Sequence, residues 1–290
     1  MFTPAPRTPS PSPSFSVVTA CYVAREIGYR MDKGWPQGEN AVIAWFSPLG
    51  TYERRLDALL GEIRGLGFRA VDLWAAHLHW KWATIEHIAV ARTLLAAHGL
   101  AVRSYAGWVG GGVEELEEAC SLCNALGVPI IAGHIQSFTD DRARAAAVLR
   151  RHRIVYAIEN HTEPTLAAVI ERLGSGDEDV VGVALDTGWC ATRGWDPVEG
   201  LRVLGPRVKA VHLKDVRARR AEKTGFEFID MGHETCRPGE GVVPLVEVLR
   251  VLKEQGFSGP IAVEHEPELF DPSEDLRAGL AFVRETWARL

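Results

Sequence analysis

The stretch IVYAIENHTEP, residues 154–164, joins a short apolar run to a group of polar and ionisable side chains. The run from Ile154 to Ile158 is short and β-branched, which is typical of a strand buried on both faces of a parallel sheet. Such strands rarely end in ionisable residues without a reason, because an unpaired buried charge is costly. Glu159, Asn160 and His161 therefore mark this strand end as a candidate functional position.

The same ending recurs along the chain. Four triplets share the order small residue, large aliphatic residue, potential metal ligand: Ala157-Ile158-Glu159, Ala184-Leu185-Asp186, Ala210-Val211-His212 and Ala262-Val263-Glu264. Related triplets occupy 70–72 and 101–103. Since strand side chains alternate between two faces, each alanine shares a face with its ligand. In a closed barrel the alanines would fill the interior and the ligands would lie at the C-terminal rim, where barrel enzymes carry their chemistry.

Short β-branched runs alternate with amphipathic helical segments over the whole chain, and several helical segments end at a glycine. The predicted strands are 16–20, 70–74, 101–105, 129–133, 154–159, 181–186, 208–213 and 260–264. Eight β/α units predict the α/β class and a single (β/α)8 TIM barrel. A doubly wound open sheet is the structural alternative, but no GxGxxG motif follows the first strand.

Length and composition set the domain organisation. The chain has 290 residues, 47% of them hydrophobic, and a formal net charge of −6. We expect residues 1–14, which are rich in Pro and Ser, to form a disordered leader and residues 15–290 to form one catalytic barrel domain. The acidic balance argues against nucleic acid as a partner, and no apolar run approaches the roughly 18 to 20 residues of a membrane span.

The five cysteines are odd in number and follow no disulfide framework, which favours a reducing cytoplasm. Only Cys120 and Cys123 have a CxxC spacing. They lie in a helical pattern without a second Cys pair, so we interpret them as structural thiols rather than metal ligands.

The four ligand positions predict a metal site. Glu159, Asp186, His212 and Glu264 would converge from consecutive predicted strands, and their carboxylates would repel one another without a cation between them. Oxygen-rich ligation with one imidazole favours Mn²⁺, Mg²⁺ or Co²⁺ over structural Zn²⁺. Such a metal can hold two oxygens of a hydroxy-carbonyl compound and stabilise the enediolate formed when a neighbouring proton leaves.

Five stretches resemble a known family: AIENH, ALDTGW, VHLKD, GFRAVDLW and RPGEGVVPLVEVLRVLKEQGFSGPIAVE. They are similar to the xylose isomerase-like barrel superfamily of sugar isomerases and epimerases, which includes ketose 3-epimerases and inosose dehydratases. The resemblance spans about residues 16–290. It places the metal ligands on Glu159, Asp186, His212 and Glu264, and it implies that Glu159 and Glu264 are the catalytic acid/base pair.

The resemblance implies a divalent-metal-dependent isomerase or epimerase acting on a sugar or polyol. Two alternatives stay open, an inosose-dehydratase-like lyase on the same metal site and a non-catalytic sugar-binding barrel. The substrate would be a small molecule, with neither nucleic acid nor membrane as a partner, and the chain could assemble as a homodimer or homotetramer.

Six further residues are candidates for substrate binding. Lys214 has the inward parity of His212, with a rim ion pair to Asp215 as the structural alternative. The other candidates are His134, His161, Trp189, Asp72 and Arg237. Trp189 stands where ketose epimerases often have a histidine, and Asp72 stands where many relatives have a glutamate.

Overall fold

The computed structural model describes residues 13–219 and 232–290. The leader predicted at residues 1–14 therefore lies outside the described residues except for Pro13 and Ser14, and Ser14 already begins the first strand. In the described parts of the chain, no helix is long and apolar enough to cross a lipid bilayer.

Nine strands are present in these ranges. They are β1 (Ser14–Val18), β2 (Ala70–Trp74), β3 (Ala101–Val109), β4 (Ile130–Ile135), β5 (Val155–Glu159), β6 (Val181–Asp186), β7 (Val208–Ala218), β8 (His233–Cys236) and β9 (Pro260–Glu264). Eight of them correspond to the eight predicted strands, although β3 and β7 run further toward the rim than predicted.

The described residues also form eleven α-helices. They are α1 (Trp35–Phe46), α2 (Leu49–Gly65), α3 (Ile85–Ala97), α4 (Val113–Leu126), α5 (Gln136–Asp140), α6 (Arg142–His152), α7 (Leu166–Leu173), α8 (Thr187–Thr192), α9 (Pro197–Leu204), α10 (Leu245–Glu254) and α11 (Ser273–Arg289). Short 3-10 helices occupy Thr19–Tyr22, Arg25–Ile27, Ala75–His77 and Gly205–Arg207.

The sheet closes on itself. Strands β1 to β7 pair in parallel with their neighbours in sequence, and β9 lies between β7 and β1. The predicted α/β single (β/α)8 TIM barrel is therefore confirmed. The antiparallel strand β8 pairs only with the rim extension of β7, which explains why β7 is longer than a barrel strand needs to be.

The interior of the barrel follows the triplet pattern. Ala132, Ala157, Ala184 and Ala210 pack together in a cluster of their own inside the barrel. The aliphatic members of the triplets, such as Ile158 and Leu185, belong instead to the large apolar core that includes the helices. Small interior residues leave room above them at the rim, so this alternation determines where a ligand can bind.

All five cysteines are buried and form no disulfide, which agrees with the interpretation of Cys120 and Cys123 as structural thiols. Cys120 and Cys123 lie on the buried face of α4. Burial raises the pKa of both thiols, that of Cys120 to about 12. Neither is therefore suited to redox or metal chemistry.

The rim of β3 and β4 depends on two glycines. Gly107 and Gly133 are register partners with φ of +147° and +132°. A Cβ on Gly133 would lie 2.1 Å from the carbonyl oxygen of Gly107. We expect Gly133→Ala to lower the free energy of unfolding by more than about 3 kcal/mol, since backbone strain and overpacking each cost about 1–3 kcal/mol.

Gly127→Ala is the matched control for urea unfolding of Gly133→Ala. Gly127 has φ of +71° and would place its Cβ in open space, with no atom within 4 Å. Backbone strain alone should cost about 1–2 kcal/mol there. Equal losses in the two variants would show that the close approach of β3 and β4 is not limiting.

Stability should also depend on the buried His77. Its Nδ1 lies 3.1 Å from Thr19 Oγ1, and the ring packs 4.8 Å from Phe46. Burial, assisted by the charge of Arg25, lowers the pKa of His77 to about 3. An unfolded histidine titrates near pH ~6.5, so between roughly pH 6.5 and 3 only the unfolded state takes up the proton. The stabilisation that the neutral His77 gives to the folded state is complete above pH ~6.5. It decreases as the pH falls, by up to about 1.4 kcal/mol of unfolding free energy per pH unit.

His77→Asn should therefore flatten the loss of stability between about pH 6 and pH 4, measured by urea unfolding. Phe46→Leu, which changes the packing against the same ring, should lower stability by a similar amount at every pH. A pH dependence that is unchanged in His77→Asn would contradict the assignment.

Candidate active site

The four predicted metal ligands lie together at the C-terminal rim. Glu159, Asp186 and Glu264 are the last residues of β5, β6 and β9, and His212 is the register partner of Asp186 on β7. One ligand atom from each of Glu159, Asp186 and His212 lies within 4.8 Å of the others. Glu264 joins this group through His212, whose Nδ1 is 3.0 Å from Glu264 Oε2 and 3.6 Å from Glu159 Oε1.

The donor set fits a divalent cation. Among the described residues, Asp186 Oδ2, both ring nitrogens of His212 and Glu264 Oε2 are buried without a partner in hydrogen-bonding geometry. Buried polar atoms usually have such a partner, so a cluster of unsatisfied ligand atoms needs an explanation. Three carboxylates and one imidazole that face the same space are a suitable ligand set for a metal such as Mn²⁺ or Zn²⁺.

Asn160, the first residue after β5, is buried and holds the end of the next strand. Its side-chain oxygen accepts the backbone N–H of Asp186 at 2.7 Å, and its amide donates to the backbone carbonyl of Asp186 at 3.0 Å. Asp186 Oδ1 in turn accepts the N–H of Trp189 at the start of α8, at 2.9 Å. These bonds orient Asp186 so that its Oδ2 faces the other ligands and Lys214.

Lys214 is fully enclosed in this cluster. Its Nζ lies 2.5 Å from Glu264 Oε1, 2.8 Å from Glu266 Oε2 and 3.4 Å from Asp186 Oδ2. Asp215 instead accepts the backbone N–H groups of Gly239, Gly241 and Val243. Lys214 is therefore part of the ligand cluster rather than a rim lysine paired with Asp215.

The pKa values of the carboxylates differ across the cluster. Burial raises the pKa of Asp186 to about 6 and that of Glu266 to about 8, and the charge of Lys214 opposes both shifts. Burial also opposes ionisation of Glu264, but Lys214 and His212 outweigh it and hold the pKa of Glu264 below its usual range. The surroundings of each group thus give different pKa values to carboxyl groups that are chemically alike.

The ligand cluster opens into a cavity of about 400 Å³. Its opposite side is aromatic and includes Trp35, Trp74 and Trp108. Trp35 begins α1 and contacts Trp74 edge to face at 5.5 Å. The segment after β1 thus contributes α1 to the cavity wall. Rings beside a polar cluster are suited to a ligand with apolar and hydroxylated faces.

Four predicted substrate-binding residues line this cavity: Lys214, His134, His161 and Trp189. The His161 ring stacks on Trp189 at 4.1 Å, and the His134 ring lies 4.3 Å from Trp108. His134 is also held at both ring nitrogens, by Arg172 at 2.5 Å and Gln136 at 3.2 Å.

Two predicted substrate-binding residues lie elsewhere. Asp72 is completely buried in the barrel interior, where its Oδ2 accepts the Ser104 hydroxyl at 2.7 Å. Arg237 is bound by Asp275 at 2.6 Å and by Glu240 at 3.2 Å. Neither is among the described residues that line the cavity. Asp72 lies in the interior of β2, and Arg237 is drawn to acidic neighbours.

Several cavity residues were not among the predicted site residues. They include Glu266, Thr235 and Arg172. Glu266 repeats the inward parity of Glu264, but it lies beyond the strand end, where that parity is a weaker signal. Thr235 and Arg172 lie on β8 and α7, whose positions over the cavity follow from the tertiary fold alone.

Comparison with known proteins agrees with this geometry. The model of the xylose isomerase-like TIM barrel family matches residues 60–286. The chain belongs to this family. The inosose dehydratase of Geobacillus kaustophilus (strain HTA426) is 33% identical over 141 residues, which are 46% of this chain and 46% of that protein. The match therefore spans about half the length of the curated relatives.

Solved structures share the fold. The probable 3-DHS dehydratase AsbF of Bacillus anthracis superimposes with a TM-score of 0.67 at 15% identity, over 93% of this chain and 98% of that one. The IolI protein, whose structure holds a zinc atom, gives a TM-score of 0.60 at 16% identity and covers 95% of both chains. At these identities the likeness shows the fold, and the case for a divalent metal in this chain rests on its own ligand triad.

Asp186→Asn should weaken the binding of Mn²⁺ and Zn²⁺ by about 100-fold or more, because changes to outer partners alone cost about 10–100-fold. Glu159→Gln should behave similarly. Glu39→Gln also removes a carboxylate from the cavity wall, but on α1, and should bind metal as the parent does. Calorimetric titration of the metal-stripped proteins measures these affinities, and an unchanged affinity in both ligand variants would refute the site.

Proposed function

We propose that this chain is a divalent-metal-dependent lyase that removes water from a small polyhydroxylated ketone, as the name of its inosose dehydratase relatives indicates for them. The position of Lys214 carries this proposal. An ammonium group lies against the carboxylates of Asp186, Glu264 and Glu266 in the cavity wall, where it can interact with a departing hydroxyl group.

Elimination next to a carbonyl group requires three contributions. A metal held by Glu159, Asp186, His212 and Glu264 would polarise the carbonyl group and stabilise negative charge. A base removes the proton on the neighbouring carbon, and an acid or cation assists the departing hydroxyl group. The ligand cluster and Lys214 offer all three within one cavity.

Glu159 is the base in this proposal. It lines the cavity, and its contact with His212 Nδ1 is longer, at 3.6 Å, than the contact of Glu264 with the same atom, at 3.0 Å. Glu264 is also bound by Lys214 at 2.5 Å. The carboxylate of Glu159 is therefore less constrained and accepts the proton, whereas Glu264 holds Lys214 in place.

Lys214 orients and assists the departing hydroxyl group. Glu264 and Glu266 hold two of its N–H groups, at 2.5 and 2.8 Å, whereas the contact with Asp186 Oδ2 is longer, at 3.4 Å. The third N–H group can therefore turn from Asp186 to a hydroxyl group in the cavity, where a charged hydrogen bond is stronger than in solution. Donation of a hydrogen bond from Nζ to the hydroxyl oxygen offsets the negative charge that develops there. The bound carboxylates fix Nζ without a further conformational change.

Isomerisation or epimerisation is the second candidate, and one observation favours it. Glu159 and Glu264 approach the same nitrogen of His212 from different strands, so two carboxylates are available to remove and return a proton. The same metal and base would serve both reactions. They differ in whether the hydroxyl group leaves.

Incubation of the Mn²⁺, Mg²⁺ and Co²⁺ forms with 2-keto-myo-inositol and with ketoses distinguishes these reactions by product. Lyase activity gives a product that is lighter by one water in mass spectrometry. A rearranged sugar without loss of water would refute the lyase and support an isomerase or epimerase. Bound ketose without turnover, together with unchanged binding in Glu159→Gln and Glu264→Gln, would indicate a sugar-binding barrel.

Lys214→Met should lower kcat for dehydration by about 10²–10⁴, the usual contribution of a positioned acid group. Lys214→Arg, which retains the positive charge, should recover part of this loss. Lys209→Met is the control on the same strand, since Lys209 Nζ donates to the carbonyl of Pro206 on the outside of the barrel. An unchanged kcat in Lys214→Met would exclude this role for Lys214.

A further inference from the structure

A chain of four side chains runs from the outside of the barrel rim to the cavity. Arg237 donates to Asp275 Oδ1, with Nε at 2.7 Å and Nη2 at 2.6 Å. The other carboxylate oxygen, Asp275 Oδ2, lies 3.1 Å from His265 Nε2. His265 Nδ1 lies 2.9 Å from the hydroxyl oxygen of Thr235, which lines the cavity. The chain ends at the hydroxyl group of Thr235, a residue of the cavity wall.

The number of donors and acceptors on each side chain determines the direction of the hydrogen bonds in this chain. The Asp275 carboxylate is paired with Arg237, so both of its oxygens accept. His265 is completely buried, and the arginine already balances the carboxylate, so a neutral imidazole with one ring proton fits this position. That proton lies on Nε2 and is donated to Asp275, which leaves Nδ1 as an acceptor.

The Thr235 hydroxyl must then donate its only proton to His265 Nδ1. A hydroxyl group has one donor and two acceptor lone pairs, so what remains of Thr235 is purely an acceptor. A ligand group that touches Thr235 Oγ1 therefore gains a hydrogen bond only if it donates one. A hydroxyl group satisfies this condition, whereas a carbonyl or carboxylate oxygen does not.

The position of Thr235 is well fixed. Strand β8 pairs with the rim extension of β7, where Thr235 is the register partner of Val216. Glu234 accepts from Arg217 at 2.6 Å across the same two strands. The turn that follows β8 is held by Asp215, whose side chain accepts the N–H groups of Gly239 and Gly241 at 2.9 Å. A hydroxyl group on such a support can select between ligands.

We propose that Thr235 is a specificity-determining residue that accepts a hydrogen bond from a hydroxyl group of the substrate. This inference rests on the proposed function in so far as the substrate is a polyhydroxylated ketone. His265 and Asp275 are positioning residues, because they act through the direction of the Thr235 hydroxyl. Thr235 thus selects a hydroxylated carbon, while the metal side of the cavity takes the carbonyl group.

The ring proton of His265 tests the basis of this proposal without any ligand. In ¹⁵N-histidine-labelled protein, the signal of His265 is identified by its loss in His265→Asn. The expected result is a protonated Nε2 and an unprotonated Nδ1, with a shift of the Nδ1 signal in Thr235→Val. A proton on Nδ1 would make Thr235 an acceptor from His265 and would overturn the proposal.

Ligand binding tests its consequence. The probes are 2-keto-myo-inositol and its monodeoxy and monodeoxyfluoro derivatives, titrated into the Mn²⁺ form of the protein. One derivative of each kind should bind about 5- to 10-fold more weakly than the parent compound, as expected for the loss of one hydrogen bond. The fluoro derivative should lose as much as the deoxy derivative, because fluorine cannot donate.

Two variants complete the test. Thr235→Val should bind 2-keto-myo-inositol about 5- to 10-fold more weakly and should no longer distinguish it from these derivatives, whereas Thr235→Ser should stay within about twofold of the parent. Parent-like discrimination in Thr235→Val would overturn the proposal. Equal affinity of the parent protein for 2-keto-myo-inositol and for every fluoro derivative would also overturn it.

Failure of the proposed function gives a different result. If 2-keto-myo-inositol is bound but not dehydrated, the lyase is refuted while the Thr235 comparison still applies. If it is not bound, the same series with D-fructose and its derivatives decides. Absence of binding by both kinds of probe would overturn the specificity role of Thr235 as well.

Discussion

The mutual repulsion of buried carboxylates is the interaction on which the rest of the site depends. Glu159, Asp186, Glu264 and Glu266 lie at the rim of one barrel, and Lys214 is the cation that contacts three of them. Despite burial, Glu264 raises the pKa of His212, so Lys214 and His212 together supply at most two positive charges. The charge of Glu159, Asp186 and Glu264 stays unbalanced even when Glu266, whose pKa burial raises to about 8, is protonated. Burying unbalanced charge is expensive, so a divalent cation at the unsatisfied ligand atoms would lower the energy of the folded state.

The barrel creates this concentration of charge through its register. Asp186 and His212 are partners across β6 and β7, and Lys214 and Glu264 are partners across β7 and β9. Beneath them the strands carry alanines, whose small side chains leave the rim open to a ligand. The same alternation therefore supplies the packing of the interior and the position of the ligands, and neither could change register without losing the other.

The triplets allowed the barrel, its eight parallel strands and the convergence of the ligands to be predicted, because strand parity is a local property. The pairing of Lys214 with Glu266 was less predictable, because Glu266 lies beyond the end of β9, where strand parity no longer holds. Strand β8 has four residues without apolar alternation and exists only through its pairing with β7. Arg237 illustrates the same limit, because its partner Asp275 lies on the last helix.

The charge distribution of the cavity also bears on the kind of substrate that the proposed function requires. Burial raises the pKa of Glu39 and of Glu268, and both carboxyl groups belong to the cavity wall. Arg172 is a cation of the wall, but it is bound by Glu163 and by His134. A phosphate group would meet half-buried acidic groups and a guanidinium that is already paired. The contacts that the phosphate gains would not offset the free-energy cost of removing it from water. The hydroxyl groups of a neutral ketone can donate to these carboxylates, and the carbon faces of the ketone can stack on the tryptophans. For the proposed function we therefore expect a neutral substrate rather than a phosphorylated one.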